Sequence, residues 1–371
     1  MIMTNVAANQ DSSTNRRMNR IQKKPNNNIL MTELADGTTE ERSTQINSFS
    51  DSRVLVTGGL GFIGSNLAMK LVELGARVTI VDSRSPTGGA NDYNIVPIRD
   101  QVKLIEADIG NYDNLSGIVN ESQFIFDLAA QVSHLESMAS PRLDLEMNCA
   151  AHLELLEAIR KSPANPKLVY TGSRVQYGRI TRLPVREDHP INPVDNNGIS
   201  KHAYEQYCLL YHRTYGVRTS SLRITNTYGP RNVMRHARQG FVNWFVRLAI
   251  DSQPIEIFGD GTQKREYSYV DDVVDACLRC ATIDNTNGNA YNVGGFPSSV
   301  LDVAKTLKEL KPGTKITFRP FPEERKPIEI GDYYSDYTRL SESTGWKPTT
   351  PLKEGLRRTI EFYETSKKHY W

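Results

Sequence analysis

From Arg53 onward, short apolar runs alternate with stretches of helical spacing, and this alternation constrains the fold more than any other feature. Six such runs lie at 53–58, 77–82, 102–108, 124–130, 167–173 and 218–225. Nearly continuous apolar strands need cover on both faces, and parallel strands need a crossover between them. Residues 65–75 and 148–161 have the i, i+3, i+4 apolar spacing of covering helices. The sequence therefore predicts an α/β fold with a doubly wound parallel sheet.

The first run leads into a glycine-rich segment, TGGLGFIG, which a predicted helix follows. Its regularly spaced glycines are Gly58, Gly61 and Gly64. Glycine permits a tight turn and a close backbone approach, and the amino end of the helix, at Phe62 and Ile63, offers N–H groups to a pyrophosphate. The segment therefore predicts a Rossmann-type dinucleotide site.

Acidic residues at the ends of the second and third runs extend this prediction. Asp82 lies 18 residues beyond Gly64, close to the spacing of about 20 at which such folds place the carboxylate that accepts from the adenosine ribose. It favours NAD over NADP because a carboxylate repels a 2′-phosphate, although Arg84 weakens that preference. Asp108 and Ile109 are placed to flank the adenine, but a capping aspartate followed by a core residue explains them equally well.

The sequence divides into a tail and two lobes. Residues 1–50 are rich in Asn, Ser and Thr and lack apolar periodicity, which predicts a disordered tail rather than a targeting peptide. Residues 51–228 form the predicted dinucleotide-binding domain. Residues 229–371 are less regular, with a helix at 239–250 and a strand and turn at 254–261, and are predicted to form a smaller, interleaved substrate lobe. We expect this lobe to cover the carboxyl ends of the strands.

Charge and cysteine content argue against several other classes. A net charge of +2 argues against nucleic acid or a membrane surface as the partner. No run approaches the roughly 18 apolar residues that a membrane span needs, so we expect a soluble, cytoplasmic protein. Cys277 and Cys280 form a C-x-x-C within a helical pattern, without a second pair to complete a zinc site. They are interpreted as core cysteines, and no metal is predicted.

A series of segments identifies a family resemblance. The chain contains, in order, TGGLGFIGSNL, DLAAQVS, LVYTGSRVQYG, NGISKHAYEQ, LRITNTYGPR, FGDGTQKREYSYVDD and NVGG. Together they resemble the extended short-chain dehydrogenase/reductases and, within them, the nucleotide-sugar epimerase/dehydratase family that includes the UDP-glucose 4-epimerases. The resemblance implies NAD as cofactor, a nucleotide-diphosphate sugar as substrate, and transient oxidation of that sugar.

The resemblance also assigns site residues. Ser173 matches the family's hydroxyl donor, and Lys201 matches the lysine that holds the nicotinamide ribose. Further cofactor contacts are implied at Leu128, Ala129 and Ala130. Substrate contacts are implied at Glu136, Asn226, Arg265 and Arg325, where a guanidinium suits phosphate oxygens.

Members of the family that this chain resembles commonly form homodimers through two helices of each subunit. In this chain those helices correspond to residues 148–161 and 200–215. The resemblance therefore implies a homodimer with His202, Tyr204 and Tyr207 in the subunit seam.

One catalytic position departs from the family pattern. Where the family has Tyr-x-x-x-Lys, this chain has Asn197 one helical turn before Lys201. An amide does not titrate and cannot act as the general base. Three explanations remain open. In the first, Tyr177 substitutes for the missing phenol. In the second, the base is His134 or Glu136 in the loop QVSHLES. In the third, the site is catalytically weak, either naturally or because Asn197 replaces an original tyrosine.

A second departure narrows the reaction. The family's 4,6-dehydratases carry an Asp-Glu pair after the Ser or Thr, and this chain has Arg174 and Val175 there. Glu136-Ser137 is closer to the 4-epimerase pattern. The sequence thus favours an NAD-dependent nucleotide-sugar 4-epimerase that acts through a keto-sugar. A decarboxylase or reductase of the same family, or a sugar-nucleotide-binding protein without turnover, are the alternatives.

Overall fold

The computed structural model describes residues 48–85, 88–235, 240–323 and 329–371. Most of the predicted tail (residues 1–47) and Arg325 lie outside these residues. The strands are β1 (Arg53–Thr57), β2 (Arg77–Asp82), β3 (Val102–Glu106), β4 (Phe124–Asp127), β5 (Lys167–Ser173), β6 (Thr219–Ile224), β7 (Asn226–Tyr228), β8 (Ile255–Phe258), β9 (Lys264–Tyr269), β10 (Asn289–Val293), β11 (Phe296–Ser299) and β12 (Ile316–Arg319). The α-helices are α1 (Phe62–Glu73), α2 (Leu115–Glu121), α3 (His134–Ala139), α4 (Pro141–Leu145), α5 (Ala151–Lys161), α6 (Asn196–Tyr215), α7 (Phe241–Ile250), α8 (Val270–Thr282), α9 (Val300–Leu310), α10 (Thr338–Thr344) and α11 (Leu352–Ser366).

A seven-stranded parallel sheet forms the centre, in the order β3-β2-β1-β4-β5-β6-β10. Its first six places have the strand order of the doubly wound dinucleotide-binding fold. The predicted fold class is therefore confirmed, and each of the six predicted strands is present with small shifts at its ends. The seventh strand, β10, comes from the chain beyond residue 228 and pairs with β6.

Side chains on the two faces of this sheet pack against different helices. Val54 and Val56 of β1 point to the face covered by α1 and α8, whereas Leu55 between them points to the face covered by α2, α5 and α6. Both faces are dry, which explains why the strands read as continuous apolar runs rather than alternating ones. Helix α8 carries Cys277 and Cys280, which are buried and unpaired, so their interpretation as core cysteines is confirmed.

Two small sheets lie in the part of the chain beyond β6. One has the strand order β11-β9-β7, and the other pairs β12 with β8. Strand β7 begins two residues after β6 ends, so the first small sheet starts at the carboxyl edge of the central sheet. Ligands of doubly wound folds bind at that edge.

Helix α6 is anchored to the central sheet by a buried ion pair. Glu205 accepts from the Arg223 guanidinium of β6 at 2.6 and 3.0 Å. The same carboxylate accepts from Gln176 at 3.0 Å and from Ser221 at 2.9 Å. Burial opposes ionisation, but these hydrogen bonds outweigh it and lower the pKa of Glu205. The helix that carries Asn197 and Lys201 is therefore fixed in position.

The burial of Tyr204 corrects one expectation from the family resemblance. Its ring is fully buried within the subunit, and its hydroxyl donates to Asp127 at 3.0 Å. The placement of Tyr204 in a subunit seam is therefore wrong.

Across the described parts of the chain, none of the helices combines the length and the apolar character that a membrane crossing requires.

We predict that Glu205→Ala destabilises the fold strongly. It leaves the Arg223 guanidinium buried without its carboxylate, and removing one partner of a buried pair costs about 3–5 kcal/mol. Urea unfolding should show this loss above the pKa of an unfolded glutamate. Folding lowers the pKa of Glu205. The difference in unfolding free energy between wild type and variant should therefore shrink as the pH falls from the pKa of an unfolded glutamate toward the lower pKa of the folded state.

Glu309→Ala provides the matched control, since it removes the exposed partner of Lys353 and should change stability by less than about 1 kcal/mol. The double variant Glu205→Leu/Arg223→Met should be more stable than Glu205→Ala, because no charge is left unpaired. A Glu205→Ala protein as stable as the control would contradict the anchoring role.

Candidate active site

The turn between β1 and α1 contains glycines at points of close backbone contact. Gly58 has a φ of +67°, and a Cβ atom there would lie 2.8 Å from the Cα and N atoms of Ala129. A Cβ atom at Gly64 would lie 2.3 Å from the carbonyl oxygen of Gly58. Because both distances are too short for a side chain, the loop after β4 and the start of α1 pack here only against glycine.

The amino end of α1 opens onto this turn. Gly61 precedes the helix without a side-chain cap, and its N–H donates to the carbonyl of Gly58 at 3.1 Å. The next N–H groups, on Phe62 and Ile63, belong to the first helical turn, which has no carbonyl partners within its own helix. Together with the helix dipole, these donors form a place for an anion.

Asp82 ends β2 and faces the same turn. Its two carboxylate oxygens accept from the N–H groups of Leu60 at 3.0 Å and Arg84 at 2.9 Å. Burial raises the pKa of Asp82 despite these hydrogen bonds. A carboxylate oxygen has two acceptor positions, so each oxygen keeps one for a ligand hydroxyl. The Arg84 guanidinium pairs with Asp92 and Glu106.

The residues after β3 are accounted for by local structure. Asp108 accepts from the N–H of Gly110 at 2.9 Å and closes a turn. Ile109 is buried in the core next to Leu55 and Ile125. The interpretation of Ile109 as a core residue is confirmed, whereas that of Asp108 as a helix cap is wrong, because the next helix begins only at Leu115 with Asn114 before it. A contact of Asp108 and Ile109 with an adenine stays a prediction.

The loop after β4 is held by a hydroxyl of β1. Thr57 donates to the Asp127 carboxylate at 2.7 Å and accepts from the N–H groups of Leu128 at 3.0 Å and Ala129 at 3.1 Å. Asp127 is fully buried and also contacts the His152 ring at 2.8 Å. The segment from Leu128 to Ala130 is therefore fixed against the glycine turn.

Asn197 and Lys201 lie one turn apart on α6, and both are buried. The Asn197 amide donates to the backbone carbonyl of Gln131 at 2.9 Å and lies 3.3 Å from an oxygen of Asp144. Burial lowers the pKa of Lys201 to about 8, and the charges of Asp144 and Asp127 oppose that shift. Among the described residues, the Lys201 ammonium makes no direct hydrogen bond. Asn197 is thus part of a buried polar network and offers no group that titrates.

Ser173 ends β5 and Tyr177 follows it closely, but the two side chains have different surroundings. Ser173 is partly exposed, and its hydroxyl accepts from the N–H of Val175 at 3.3 Å. The Tyr177 hydroxyl donates to Asn292 at 2.7 Å and accepts from Arg223 at 2.6 Å. Burial raises the pKa of Tyr177 to about 12. A fully buried phenol with both roles occupied is unsuited as a replacement base, so the geometry speaks against the first explanation for Asn197.

The loop QVSHLES places an acid–imidazole pair beside α6. The Ser133 hydroxyl accepts from the N–H of Glu136 at 3.3 Å and caps α3. The His134 ring contacts the Asp195 carboxylate through Nδ1. Asp195 caps α6 by accepting from the N–H of Gly198 at 2.8 Å. Burial opposes ionisation, but His134 and these hydrogen bonds outweigh it and lower the pKa of Asp195.

The predicted substrate residues Asn226 and Arg265 lie on neighbouring strands of the small sheet. The Asn226 amide donates to the backbone carbonyl of Glu266 at 2.9 Å. Arg265 is buried and pairs with the Glu329 carboxylate and the carbonyl of Gly331. The structure therefore brings these two residues together, whereas Arg325 lies outside the described residues.

Four site residues escaped the sequence analysis. The buried carboxylates Asp127, Asp144 and Asp195 surround the first part of α6. The Arg174 guanidinium, considered only as a departure, lies 4.9 Å from the ring centre of Tyr333, and burial together with the charge of Arg265 lowers its pKa. Only Asp195 had a usable signal, since an aspartate three residues before Gly198 is a common helix cap.

Comparison with known proteins gives a consistent set of similarities. A sequence model described as the NAD dependent epimerase/dehydratase family matches residues 54–294. A UDP-glucose 4-epimerase of Mycolicibacterium smegmatis is 34% identical over 84% of this chain and 98% of its own length. UDP-glucuronic acid decarboxylase 1 of Arabidopsis thaliana is 29% identical over 83% of this chain and 69% of its own length. The solved structure of UDP-glucose 4-epimerase from Thermotoga maritima with UDP-glucose has a TM-score of 0.78 and 31% identity, covering 85% of this chain and 99% of that one.

We predict that Lys201→Met stabilises the protein in urea near neutral pH. Since folding lowers the pKa of Lys201 to about 8, the unfolded chain binds more protons between that value and the ordinary lysine value. The buried ammonium therefore disfavours the fold below this window, and the penalty disappears as the pH rises through it. The stability gain of Lys201→Met should shrink accordingly between neutral pH and about pH 10.

Lys308→Met, at an exposed position of α9, is the control and should show no such pH-dependent gain. A Lys201→Met protein that is less stable than wild type near neutral pH would mean that Asp144 and Asp127 outweigh the desolvation of the ammonium.

Proposed function

Because this chain belongs to the NAD-dependent epimerase/dehydratase family, we propose that it binds NAD and epimerises a nucleotide-diphosphate sugar, at C4, through a transient keto-sugar. The observation that carries the proposal is the glycine turn fixed against the loop after β4, with Lys201 buried on the helix beside it. Two relatives that the chain matches over nearly their whole length bear the name UDP-glucose 4-epimerase, which supports a UDP-sugar as substrate.

The residues of the turn fit a dinucleotide. A Cβ atom at Gly58 or Gly64 would collide with backbone, and the amino end of α1 offers N–H donors for the pyrophosphate. Asp82 has an acceptor position left on each oxygen for the ribose hydroxyls. The Arg84 guanidinium, a suitable partner for a 2′-phosphate, is already paired with Asp92 and Glu106, so the site favours NAD over NADP.

Each side chain of the site has a separate proposed role in the reaction. Bound NAD would supply the oxidising step by accepting a hydride from a sugar carbon and returning it. Lys201 would hold the nicotinamide ribose and contribute its positive charge, and Ser173 would hydrogen-bond the sugar hydroxyl. Arg265 and Asn226 would hold the diphosphate and sugar from the small sheet, with Glu136 on the opposite side.

A decarboxylase is the second candidate, and Arg174 favours it. This guanidinium follows Ser173 directly and makes no hydrogen bond to any described residue. A sugar carboxylate would be a suitable partner for it. Conversely, the absence of an Asp-Glu pair after Ser173 argues against 4,6-dehydration.

We predict that the purified chain with NAD converts a UDP-sugar into its C4 epimer without net NADH. The assay follows absorbance of NADH and product chromatography with UDP-glucose, UDP-galactose, UDP-N-acetylglucosamine and UDP-glucuronic acid. Release of carbon dioxide from UDP-glucuronic acid would instead support the decarboxylase. Tight binding of both ligands without any conversion would refute an enzymatic role.

A pair of glycine variants tests the cofactor site separately. Gly64→Ala should weaken NAD binding in calorimetry by about tenfold or more, roughly 1.4 kcal/mol, because its Cβ atom displaces the turn. Gly313→Ala has open space around it and an ordinary φ, so it should bind NAD like wild type.

We also propose that the chain forms a homodimer through α6. Ile199, Tyr207 and Leu210 are exposed apolar side chains at helical spacing on one side of α6. Met138, Leu143 and Leu145 are exposed on α3 and α4, which pack against the same helix. Exposed apolar surface of this extent is typical of a subunit interface.

We predict that Ile199→Glu converts a dimer into a monomer in light scattering after size-exclusion chromatography. Phe318→Glu, at an exposed apolar position of β12, is the matched control and should leave the dimer intact. A monomeric wild-type protein would refute the proposed assembly.

A further inference from the structure

The proposed reaction needs a proton acceptor that Asn197, where the family pattern has a phenol, does not supply. The Asn197 amide is committed to Gln131 and Asp144 and cannot accept a proton at neutral pH. Tyr177 lies in the core with its hydroxyl bonded on both sides. Another group near Ser173 and the first turn of α6 must therefore take the hydroxyl proton.

His134 has the geometry of such a group. Its ring contacts the Asp195 carboxylate through Nδ1, and since a carboxylate only accepts, Nδ1 carries the hydrogen. Nε2 of a neutral ring is then left with its lone pair. The Asp195 side chain is 2% exposed and the His134 side chain is 45% exposed, so the carboxylate lies beneath the ring and the ring is open to a ligand.

His134 also lies among the ends of the elements that carry the other site residues. It begins α3, three residues after Gln131, whose carbonyl accepts from Asn197. Asp195 is two residues before Asn197, and the charge of Arg174, next to Ser173, acts on Asp195. The pair therefore connects the loop after β4 with the end of β5 and the beginning of α6.

We propose that His134, oriented by Asp195, is the catalytic base that removes the sugar hydroxyl proton in this chain; this rests on the proposed function. The O–H bond would break with its proton going to Nε2, and bound NAD would accept the hydrogen of the adjacent C–H bond as a hydride. A C=O bond forms, and the reverse transfer to the other face of the sugar gives the epimer. Asp195 stabilises the imidazolium that exists between the two transfers.

The surrounding charges are consistent with this role. Asp195 faces the ring from the amino end of α6, and Glu136 lies on the same short helix. Arg174 approaches Asp195 from the end of β5, and Lys201 and Asp144 lie further along α6 and on α4. Because only the neutral imidazole accepts a proton, turnover should fall as the pH is lowered.

The central test is His134→Gln, which keeps an N–H donor for Asp195 but has no basic nitrogen. We expect kcat to fall by about 10²–10⁴-fold, the usual contribution of a general base, with the dissociation constants of NAD and the UDP-sugar unchanged in calorimetry. Leu135→Gln, the same substitution at the exposed neighbouring position, should keep wild-type kcat. Adding Asn197→Tyr to His134→Gln should restore part of the activity and move the pH dependence to more alkaline values.

A second measurement does not depend on turnover. Nitrogen-15 NMR of the histidine ring should show His134 protonated on Nδ1 in the wild type, and Asp195→Asn should shift the ring toward the other tautomer. A wild-type ring protonated on Nε2 would overturn the assignment.

The outcomes separate the two proposals. If wild type is active and His134→Gln is equally active, His134 is not the base, although the proposed function stands. If wild type binds NAD but converts no sugar nucleotide, the proposed function is wrong and the role of His134 falls with it.

Discussion

The buried carboxylate of Asp127 is the contact on which the geometry of the crevice depends. It ends β4 and accepts from Thr57 of β1, and it also receives hydrogen bonds from His152 of α5 and Tyr204 of α6. Two strands and two helices therefore meet at one side chain. Burying a charge is costly unless it is fully hydrogen-bonded, so the partners of Asp127 are held in a single arrangement.

That arrangement fixes where the rest of the site lies. Thr57 also holds the loop after β4 against Gly58, at a distance that leaves no room for a side chain. Helix α6 is anchored at one point by Tyr204 and at another by the pair of Glu205 with Arg223. Asn197 donates to the loop after β4, which this network holds in place. Its amide thus has a structural role in holding this loop against α6.

The sequence predicted the parts of this structure that depend on local patterns. The strands of the central sheet were recognisable because both faces of the sheet are covered. The turn was recognisable because no residue with a Cβ atom fits at Gly58 or Gly64. The small sheets had a weaker signal: β8 was predicted within 254–261, but β12 shows mostly exposed side chains and β7 has only three residues. These strands form through partners distant in the chain, as when β7 pairs with β9.

Side-chain partners were harder to predict than strands. The contact of His134 with Asp195 joins positions 61 residues apart, and neither segment contains a sequence signal that predicts the contact. Tyr177 and Tyr204 illustrate the opposite error. A tyrosine near a predicted site suggested a reactive phenol or an interface residue, yet both rings fill the core because their hydroxyls find buried partners. Burial is a property of the packed fold and is not encoded in a short motif.

The charges across the crevice fall into two groups with different chemistry. On the side of β4 and α6 lie the buried carboxylates Asp127, Asp144 and Asp195 together with Lys201 and His134, which can exchange or stabilise protons. On the side of β5 and β9 lie the guanidiniums of Arg174 and Arg265, close enough that the charge of Arg265 lowers the pKa of Arg174. Glu329 compensates Arg265, whereas Arg174 rests on the ring of Tyr333. An anionic group is therefore attracted to the side of Arg174 and Arg265, and the hydroxyls of the proposed sugar nucleotide would face the groups that exchange protons.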